Sequence, residues 1–258
     1  MMRLFFGACA AAALISAPAL GADMALKAPP MPPEPTWTGW YIGINGGGAF
    51  NTSDPFIGSE TNGGIPFVSG TWPGFGNFGN LTSSGGFGGG QVGFNWQRGA
   101  FVYGAEVDFQ GAGGRGTQSA TLPYIVAPNT VTEGLSSNLD WFGSVRGRLG
   151  YAWNNVLLYA TGGFAFGGVR NTFSYADTFG FTGFRNSSST RGGYSAGAGI
   201  EYAFTPRLSA KFEYQFIDLG SSTIALTEFF AGAPTTFADS ATAHFWYNTF
   251  RLGLNYHF

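Results

Sequence analysis

Eight charged side chains stand at alternate positions of strand-like segments, where they could pair with one another, line an ion path or relay protons. Four are acidic and four are basic, so their formal charges cancel. In an enclosed space such charges must be paired or hydrated, because burying an unpaired charge costs several kcal/mol. The set therefore predicts a structural polar core or a narrow charge-lined pore, with a titrating proton path as a third alternative. Its members are Glu106, Asp108, Arg146, Arg148, Glu201, Lys211, Glu213 and Arg251.

The expected heights of these charges on neighbouring strands suggest which of them meet. We count residues from the tight turns that end the strands and take residues at similar counts as neighbours. We hypothesise that the resulting network closes the space that it lines. Replacing Arg146 with alanine should then lower thermal stability and raise ion leakage. The expected pairs are Glu106 with Arg148, Asp108 with Arg146, and Glu201 with Lys211.

Catalytic chemistry has few candidate residues. An acyl-transfer site needs a nucleophile, a base and a group that orients the base, all converging at one place. The chain has two histidines, His244 and His257. Ser240 and Asp239 lie near His244 in sequence, but three such residues in one polar segment are a weak signal. His257 is expected to face inward as a polar group, and we expect no enzymatic activity.

Ligands for a metal or a cofactor are also scarce. The single cysteine is Cys9, and no two histidines are spaced as a ligand pair. Haem binding would have to use a loop tyrosine or histidine as its axial ligand. We therefore predict no metal site and no cofactor. The haem-ligand candidates are Tyr124, Tyr175, Tyr247 and His244.

The elements that position these residues are clearest in the final stretch, HFWYNTFRLGLNYHF, which runs to Phe258. Phe250, Leu252 and Leu254 fall on one face, whereas Arg251 falls on the other. Alternation with a period of two predicts an extended strand. Its length is about twice that of an ordinary soluble strand. A long strand with one apolar face, ending in aromatic residues, is typical of a strand that spans a bilayer.

Seven further segments alternate in the same way, so the sequence predicts eight strands. Three tight turns alternate with four long polar loops, which is the asymmetry of an outer-membrane barrel. Closing the sheet removes strand edges, whose unpaired backbone groups cannot be hydrated in lipid. We predict an all-β fold, an eight-stranded antiparallel transmembrane up-and-down β-barrel with both termini on the periplasmic side. The loops are expected at about residues 51–85, 111–138, 176–190 and 218–243.

Aromatic residues cluster at both ends of the predicted strands, as expected where a wall crosses two membrane interfaces. The predicted girdle at the turn and terminal ends comprises Trp40, Trp96, Phe101, Tyr103, Tyr151, Trp153, Tyr202, Phe204, Tyr256 and Phe258. The predicted girdle at the loop ends comprises Phe50, Phe109, Trp141, Tyr194 and Trp246.

Composition agrees with a membrane barrel. Charged residues make up 10% of the chain and aromatic residues 17%, and there are 43 glycines. Mean hydropathy is near zero, and the sequence after the N-terminal segment lacks the roughly 18 consecutive apolar residues of a transmembrane helix. A net charge of −2 argues against nucleic acid as a partner.

The N-terminal segment divides into a targeting signal and a linker. Residues 1–22 have one Arg, an apolar run and then small residues, which predicts a secretory signal peptide cleaved after Ala22 or, alternatively, after Ala19. Residues 23–36 are rich in proline and predict an extended periplasmic tether. Residues 37–258 are left as the barrel domain.

Three segments, KAPPMPPEPTWTGWYIGINGGGAF, LLYATGGFAFG and FRLGLNYHF, resemble the small outer-membrane β-barrel proteins of alphaproteobacteria, which include surface antigens and porin-like members with an OmpA-like barrel. The resemblance implies an outer-membrane location and contact with membrane lipid and lipopolysaccharide. It also implies that the barrel-assembly machinery recognises the C-terminal strand ending at Phe258. Self-association into a homo-oligomer is left open. The expected role is structural, with a small porin or a surface receptor or adhesin, including haem binding, as alternatives.

Overall fold

The alternating segments form long β-strands. The computed structural model describes residues 36–53, 57–62, 65–66, 81–123 and 128–258. The predicted signal peptide and nearly all of the predicted tether lie outside these residues. The described residues contain no helix with the length and apolar character needed to cross a membrane. Their strands are β1 (Gly39–Ser53), β2 (Ile57–Asn62), β3 (Ile65–Pro66), β4 (Leu81–Arg98), β5 (Phe101–Pro123), β6 (Thr130–Trp153), β7 (Val156–Asp177), β8 (Phe181–Thr205), β9 (Leu208–Phe230) and β10 (Ala233–His257).

Eight of these strands close into an antiparallel ring. The order is β1, β4, β5, β6, β7, β8, β9 and β10, and β10 pairs back with β1. β2 pairs with residues 237–242 of β10, and β3 pairs with β2. The prediction of an eight-stranded antiparallel barrel is confirmed, and tight turns join β4 to β5, β6 to β7 and β8 to β9.

Part of the wall, between the two aromatic girdles, is apolar outside and polar inside; we call it the band. On β9, Phe212 and Tyr214 point outward and are exposed, whereas Lys211 and Glu213 point inward and are buried. Successive side chains of a strand point to opposite faces. The alternation seen in the sequence therefore produces a surface suited to lipid around a polar interior.

The prediction of long loops is wrong for three of the four predicted segments. β5 and β6, β7 and β8, and β9 and β10 continue as paired strands well beyond the loop-side girdle. In the fourth segment the structure describes β2, β3 and the start of β4. We call the strand residues beyond the loop-side girdle the extension. It comprises residues 111–123, 130–140, 168–177, 181–193, 218–230 and 233–244.

The alternation reverses in the extension, which explains why these strands were taken for loops. On β9, Thr223 and Thr227 point outward, whereas Ile224 and Leu226 point inward and are buried. A polar outer face with an apolar inner face is the pattern of a water-soluble sheet. A search for strands with an apolar outer face therefore stops at the edge of the band.

Opposite walls of the extension meet across an apolar interior. β7 and β9 contact each other although β8 lies between them in the strand order. Packing the inner faces against each other removes apolar surface from water, at about 25 cal/mol per Å². The buried side chains that meet there, which we call the extension cluster, are Val131, Leu135, Phe173, Tyr175 and Leu226.

β8 and β9 separate from each other over part of the extension. They pair from the tight turn up to Tyr194 opposite Asp218, and again at Thr182 opposite Phe229, but residues 183–193 of β8 have no partner in β9. We call this interruption the β8–β9 window. The register changes by only one residue across it, so the strands part and meet again without slipping.

A bulge in β9 accounts for the lower end of the window. Gly220 has φ +72°, and its backbone N–H donates to Asp218 Oδ1 at 2.8 Å. His244 Nε2 lies 3.0 Å from the same oxygen, at the point where the pairing of β9 with β10 also shifts. A bulge bends a strand and interrupts its ladder, so the chain leaves β8 here.

We expect Gly220→Val to lower the free energy of unfolding by about 1–3 kcal/mol, because a β-branched residue is strained at positive φ. The matched control is Gly48→Val, since Gly48 lies in an extended strand and a Cβ there meets no atom within 4 Å. Urea unfolding in lipid vesicles measures both. Equal losses in the two variants would show that the bulge does not need the left-handed conformation.

Candidate functional site

The charged residues predicted from the sequence lie together inside the band. All eight are at most 2% exposed. Their side chains come from six strands, β5 to β10, and form two connected groups around Arg146 and Arg148. Four carboxylates and four cations in one buried volume leave no net charge, which is the condition for burying charges at acceptable cost.

Arg146 on β6 is the centre of the first group. Its guanidinium contacts Glu106 at 2.6 Å, Asp108 at 2.9 Å and Glu213 at 2.6 Å. It also donates to Thr161 Oγ1 at 3.0 Å. Arginine suits this position because its planar donors reach several carboxylates at once.

Further donors complete the coordination of these carboxylates. Lys211 Nζ contacts both oxygens of Glu106, at 3.0 and 2.9 Å, and the Tyr41 hydroxyl donates to Glu106 at 2.8 Å. The Tyr159 hydroxyl donates to Glu213 at 2.9 Å. Arg251 lies 3.6 Å from both Asp108 and Glu213.

Arg148 and Glu201 form the second group, nearer the tight turns. Arg148 pairs with Glu201 and lies 3.7 Å from the ring centroid of Tyr159, a cation–π contact. Glu201 also accepts from Asn255 Nδ2 at 2.7 Å. His257 Nε2 is 3.5 Å from Glu201, and this places His257 at the inner turn-side end, as expected.

One expected pair is wrong, and the stagger of the strands explains why. Arg148 lies opposite Gly104, and Glu106 lies opposite Arg146. Strands of a barrel tilt and shift against each other, and no short turn joins β5 to β6. Equal counts from the strand ends therefore do not give cross-strand neighbours.

The other two expected pairs illustrate how far a turn fixes register. Glu201 and Lys211 lie opposite each other because a tight turn joins β8 to β9. Their charged groups nevertheless bind other partners, Arg148 and Glu106. Asp108 does pair with Arg146, although the residue opposite it is Ser144.

Apolar layers lie on both sides of the charges. The turn-end cluster is anchored by Trp37, whose backbone N–H donates to Gln97 Oε1 at 2.9 Å. The sequence analysis did not identify Trp37 as an interior residue, because it precedes the first strand. The turn-end cluster is Trp37, Val102, Leu157, Tyr159 and Ala203. The inner apolar layer, on the loop side, is Ala49, Phe87, Leu139, Phe142, Ala165, Val169, Ile217, Leu219, Phe245 and Tyr247.

The predicted aromatic girdles lie on the outer surface. The ten turn-side residues are all exposed. On the loop side, Phe109 stacks on Trp141 at 5.5 Å, and Trp246 contacts Phe216 at 6.0 Å. Tyr194 contacts Phe216 at 6.2 Å. Exposed aromatic rings in two rows are the arrangement that anchors a wall at both interfaces of a bilayer.

The candidate catalytic and haem residues do not assemble into a site. His244 contacts Asp218, whereas Ser240 lies four residues away along β10, about 13 Å in an extended strand. Tyr175 and Tyr247 are buried in apolar clusters, and Tyr124 lies outside the described residues. In the part of the chain that the structure describes, no group of three or more potential ligands could hold a metal ion.

Comparison with known proteins gives the family. A family model for the outer membrane protein β-barrel domain matches residues 7–258. The chain belongs to this outer-membrane β-barrel family. The 31 kDa outer-membrane immunogenic protein of Brucella melitensis is 35% identical over 258 residues, which cover 96% of each chain. The 22 kDa outer membrane protein of Rhizobium leguminosarum is 32% identical over 194 residues, 74% of this chain and 69% of that one.

Membership of the outer-membrane β-barrel family agrees with the architecture described above. The protein is an outer-membrane β-barrel, and its alphaproteobacterial relatives carry the resemblance seen in the sequence. Among solved structures, the outer membrane protein OprG from Pseudomonas aeruginosa aligns with 87% of this chain and 99% of that chain, with a TM-score of 0.46 and 12% identity.

Proposed function

We propose that this outer-membrane β-barrel protein has a structural role in the envelope, with a closed lumen and a rigid extension at the cell surface. The observation that carries the proposal is the continuous filling of the interior. The turn-end cluster, the charge network and the inner apolar layer follow one another along the barrel axis. Eight strands enclose a space just wide enough for side chains.

The chemistry of the charge network supports a core rather than a conducting path. Arg146 contacts three carboxylates and Lys211 contacts both oxygens of Glu106. An ion passing through would have to displace these contacts at a cost of several kcal/mol, because each partner would be left buried and unpaired. It would also have to cross two apolar layers, where it has no polar ligands.

The asymmetry of the wall supports an orientation. We place the tight turns and both termini in the periplasm and the extension outside the cell, because outer-membrane barrels have short periplasmic turns. In this orientation the girdles contact membrane lipid, and the outer girdle lies at the level of lipopolysaccharide headgroups. The C-terminal strand β10 would engage the barrel-assembly machinery.

A small porin is the second candidate, because all eight lumen charges cluster in one place and a charged constriction can select ions. A surface receptor or adhesin is the third, because six strands project beyond the band. Permeability separates the first two functions, and a ligand that depends on the extension separates the third.

Single-channel recording of the refolded protein in a planar bilayer tests the proposal. We expect no steady conductance from protein whose β-structure is verified by circular dichroism. Glu106→Gln serves as the matched variant, because it removes one lumen charge and keeps the side-chain shape. A steady ion-selective conductance whose selectivity changes with Glu106→Gln would overturn the structural role in favour of a porin.

A further inference from the structure

The β8–β9 window has a polar, cationic rim. Arg185, Ser187, Ser189 and Arg191 alternate along the unpaired part of β8, so they share one face. Ser187 lies opposite Asn171, and Ser189 opposite Val169, and both partners point into the extension and are buried. The four side chains therefore border the window on the inner side.

The backbone at the window also has free hydrogen-bonding capacity. In an antiparallel sheet every second residue directs its N–H and C=O toward the same neighbour. About half of residues 183–193 therefore point these groups at β9, which does not pair with them. Arg191 Nη1 spans the opening and donates to the carbonyl oxygen of Ser221 at 2.6 Å. Its guanidinium retains donors that can face a ligand.

Buried polar atoms without partners lie behind the window. Asn171 and Ser137 are 2% exposed, and Asn171 Oδ1 and Ser137 Oγ have no hydrogen-bond partner among the described residues. They lie opposite each other on β7 and β6, in line with Ser187. A buried polar atom without a partner costs about 1–3 kcal/mol, so this polar row suits a ligand that supplies hydroxyl groups.

We propose that the β8–β9 window binds a phosphorylated saccharide. The phosphate would lie between Arg185 and Arg191, which form no ion pair with a carboxylate in the described part of the chain. Arginine binds phosphate through paired N–H donors, and unpaired backbone N–H groups add to such a site. The sugar hydroxyls would bond to Ser187, Ser189 and the row behind them.

The position of the window suggests two sources for such a ligand. The window begins directly after Tyr194, a residue of the loop-side girdle, so it lies at the level of lipid headgroups. The headgroup of a glycolipid and a free sugar phosphate share the required chemistry. The glycolipid source rests on the proposed orientation, because the extension must face the leaflet that contains it.

Two double variants of the full mature protein in nanodiscs test the site. Arg185→Gln with Arg191→Gln removes the window cations. Arg115→Gln with Arg170→Gln is the control, because it removes the same charge from the exposed outer face of the extension. The probes are glucose 6-phosphate by calorimetry, and lipopolysaccharide, intact or dephosphorylated, by native mass spectrometry.

We expect the window variant to bind the phosphorylated probes about a hundredfold more weakly, roughly tenfold for each lost charged contact, and the control to bind as the unchanged protein does. Binding of both phosphorylated probes shows that the site recognises the shared chemistry. Binding of intact lipopolysaccharide alone identifies the membrane glycolipid as the ligand.

Two outcomes would overturn the site: no binding of either phosphorylated probe, or an equal loss in both double variants, which indicates attraction by net charge only. Nanodiscs expose both faces of the barrel, so the result does not depend on orientation. A negative result would also leave the closed-lumen role untouched, since conductance tests that role separately.

Discussion

Replacing Arg146 with alanine is expected to lower the free energy of unfolding by about 3–5 kcal/mol, the typical cost of removing one partner from a buried ion pair. The substitution leaves Glu106, Asp108 and Glu213 without their shortest cationic contact. Lys211 remains beside Glu106, but Arg251 is 3.6 Å from the other two carboxylates and compensates only in part.

Urea unfolding in lipid vesicles measures this loss, and Arg170→Ala is the matched control. Arg170 pairs with Asp140 at 2.9 Å, but both side chains are exposed, so the control is expected to lose no more than about 1 kcal/mol. Arg146→Lys keeps the charge without the planar donor geometry and should fall between the two. Equal losses for Arg146→Ala and Arg170→Ala would show that the network contributes little to stability.

The hypothesis drawn from the sequence also included a rise in ion leakage in Arg146→Ala. The structure places apolar layers on both sides of Arg146. Because these layers act in series with the charge network, we expect the single variant to stay electrically silent. A leak from Arg146→Ala would mean that the charge network alone closes the lumen.

Replacing Phe142 with alanine is expected to lower the free energy of unfolding by about 3–5 kcal/mol, the usual cost of removing a buried phenyl ring. Phe142 is 1% exposed and lies at the centre of the inner apolar layer, with its ring 5.2 Å from that of Phe87. The vacated space borders the charge network, so neighbouring side chains cannot refill it without moving Arg251, which lies over Phe87.

The matched control is Phe184→Ala, because Phe184 is a phenylalanine of the same sheet system that is 66% exposed on the outer face of the extension. A surface substitution of this kind usually changes stability by about 0.5 kcal/mol or less. Thermal and urea unfolding compare the two variants. If both lose the same amount, the inner apolar layer is not a packed core and the closed-lumen proposal loses its main support.

The two substitutions address different layers of one interior, and the contrast between the layers is informative. Within the band the interior is polar and the exterior apolar, whereas in the extension the interior is apolar and the exterior polar. One continuous strand such as β9 therefore satisfies two solvents in turn. The physical reason is that lipid favours apolar groups outside, whereas water favours them inside.

The sequence predicted those features that follow from local alternation. In the final strand, Leu252 and Leu254 were expected outside and Arg251 inside, and the structure has them so. Antiparallel order and the three tight turns also follow from the sequence, because each turn fixes the register of the strands that it joins. This is why Glu201 was correctly placed opposite Lys211.

Local alternation by itself therefore determined the barrel, the girdles and the inward face of every lumen charge. Only the tertiary structure decided which charges meet, because the stagger of β5 against β6 places Arg146, not Arg148, beside Glu106. It also decided that residues 111–138 and the matching segments are strands, since their polarity reverses outside the band. The seat of Trp37 and the β8–β9 window likewise depend on contacts between residues far apart in the chain, which no local pattern encodes.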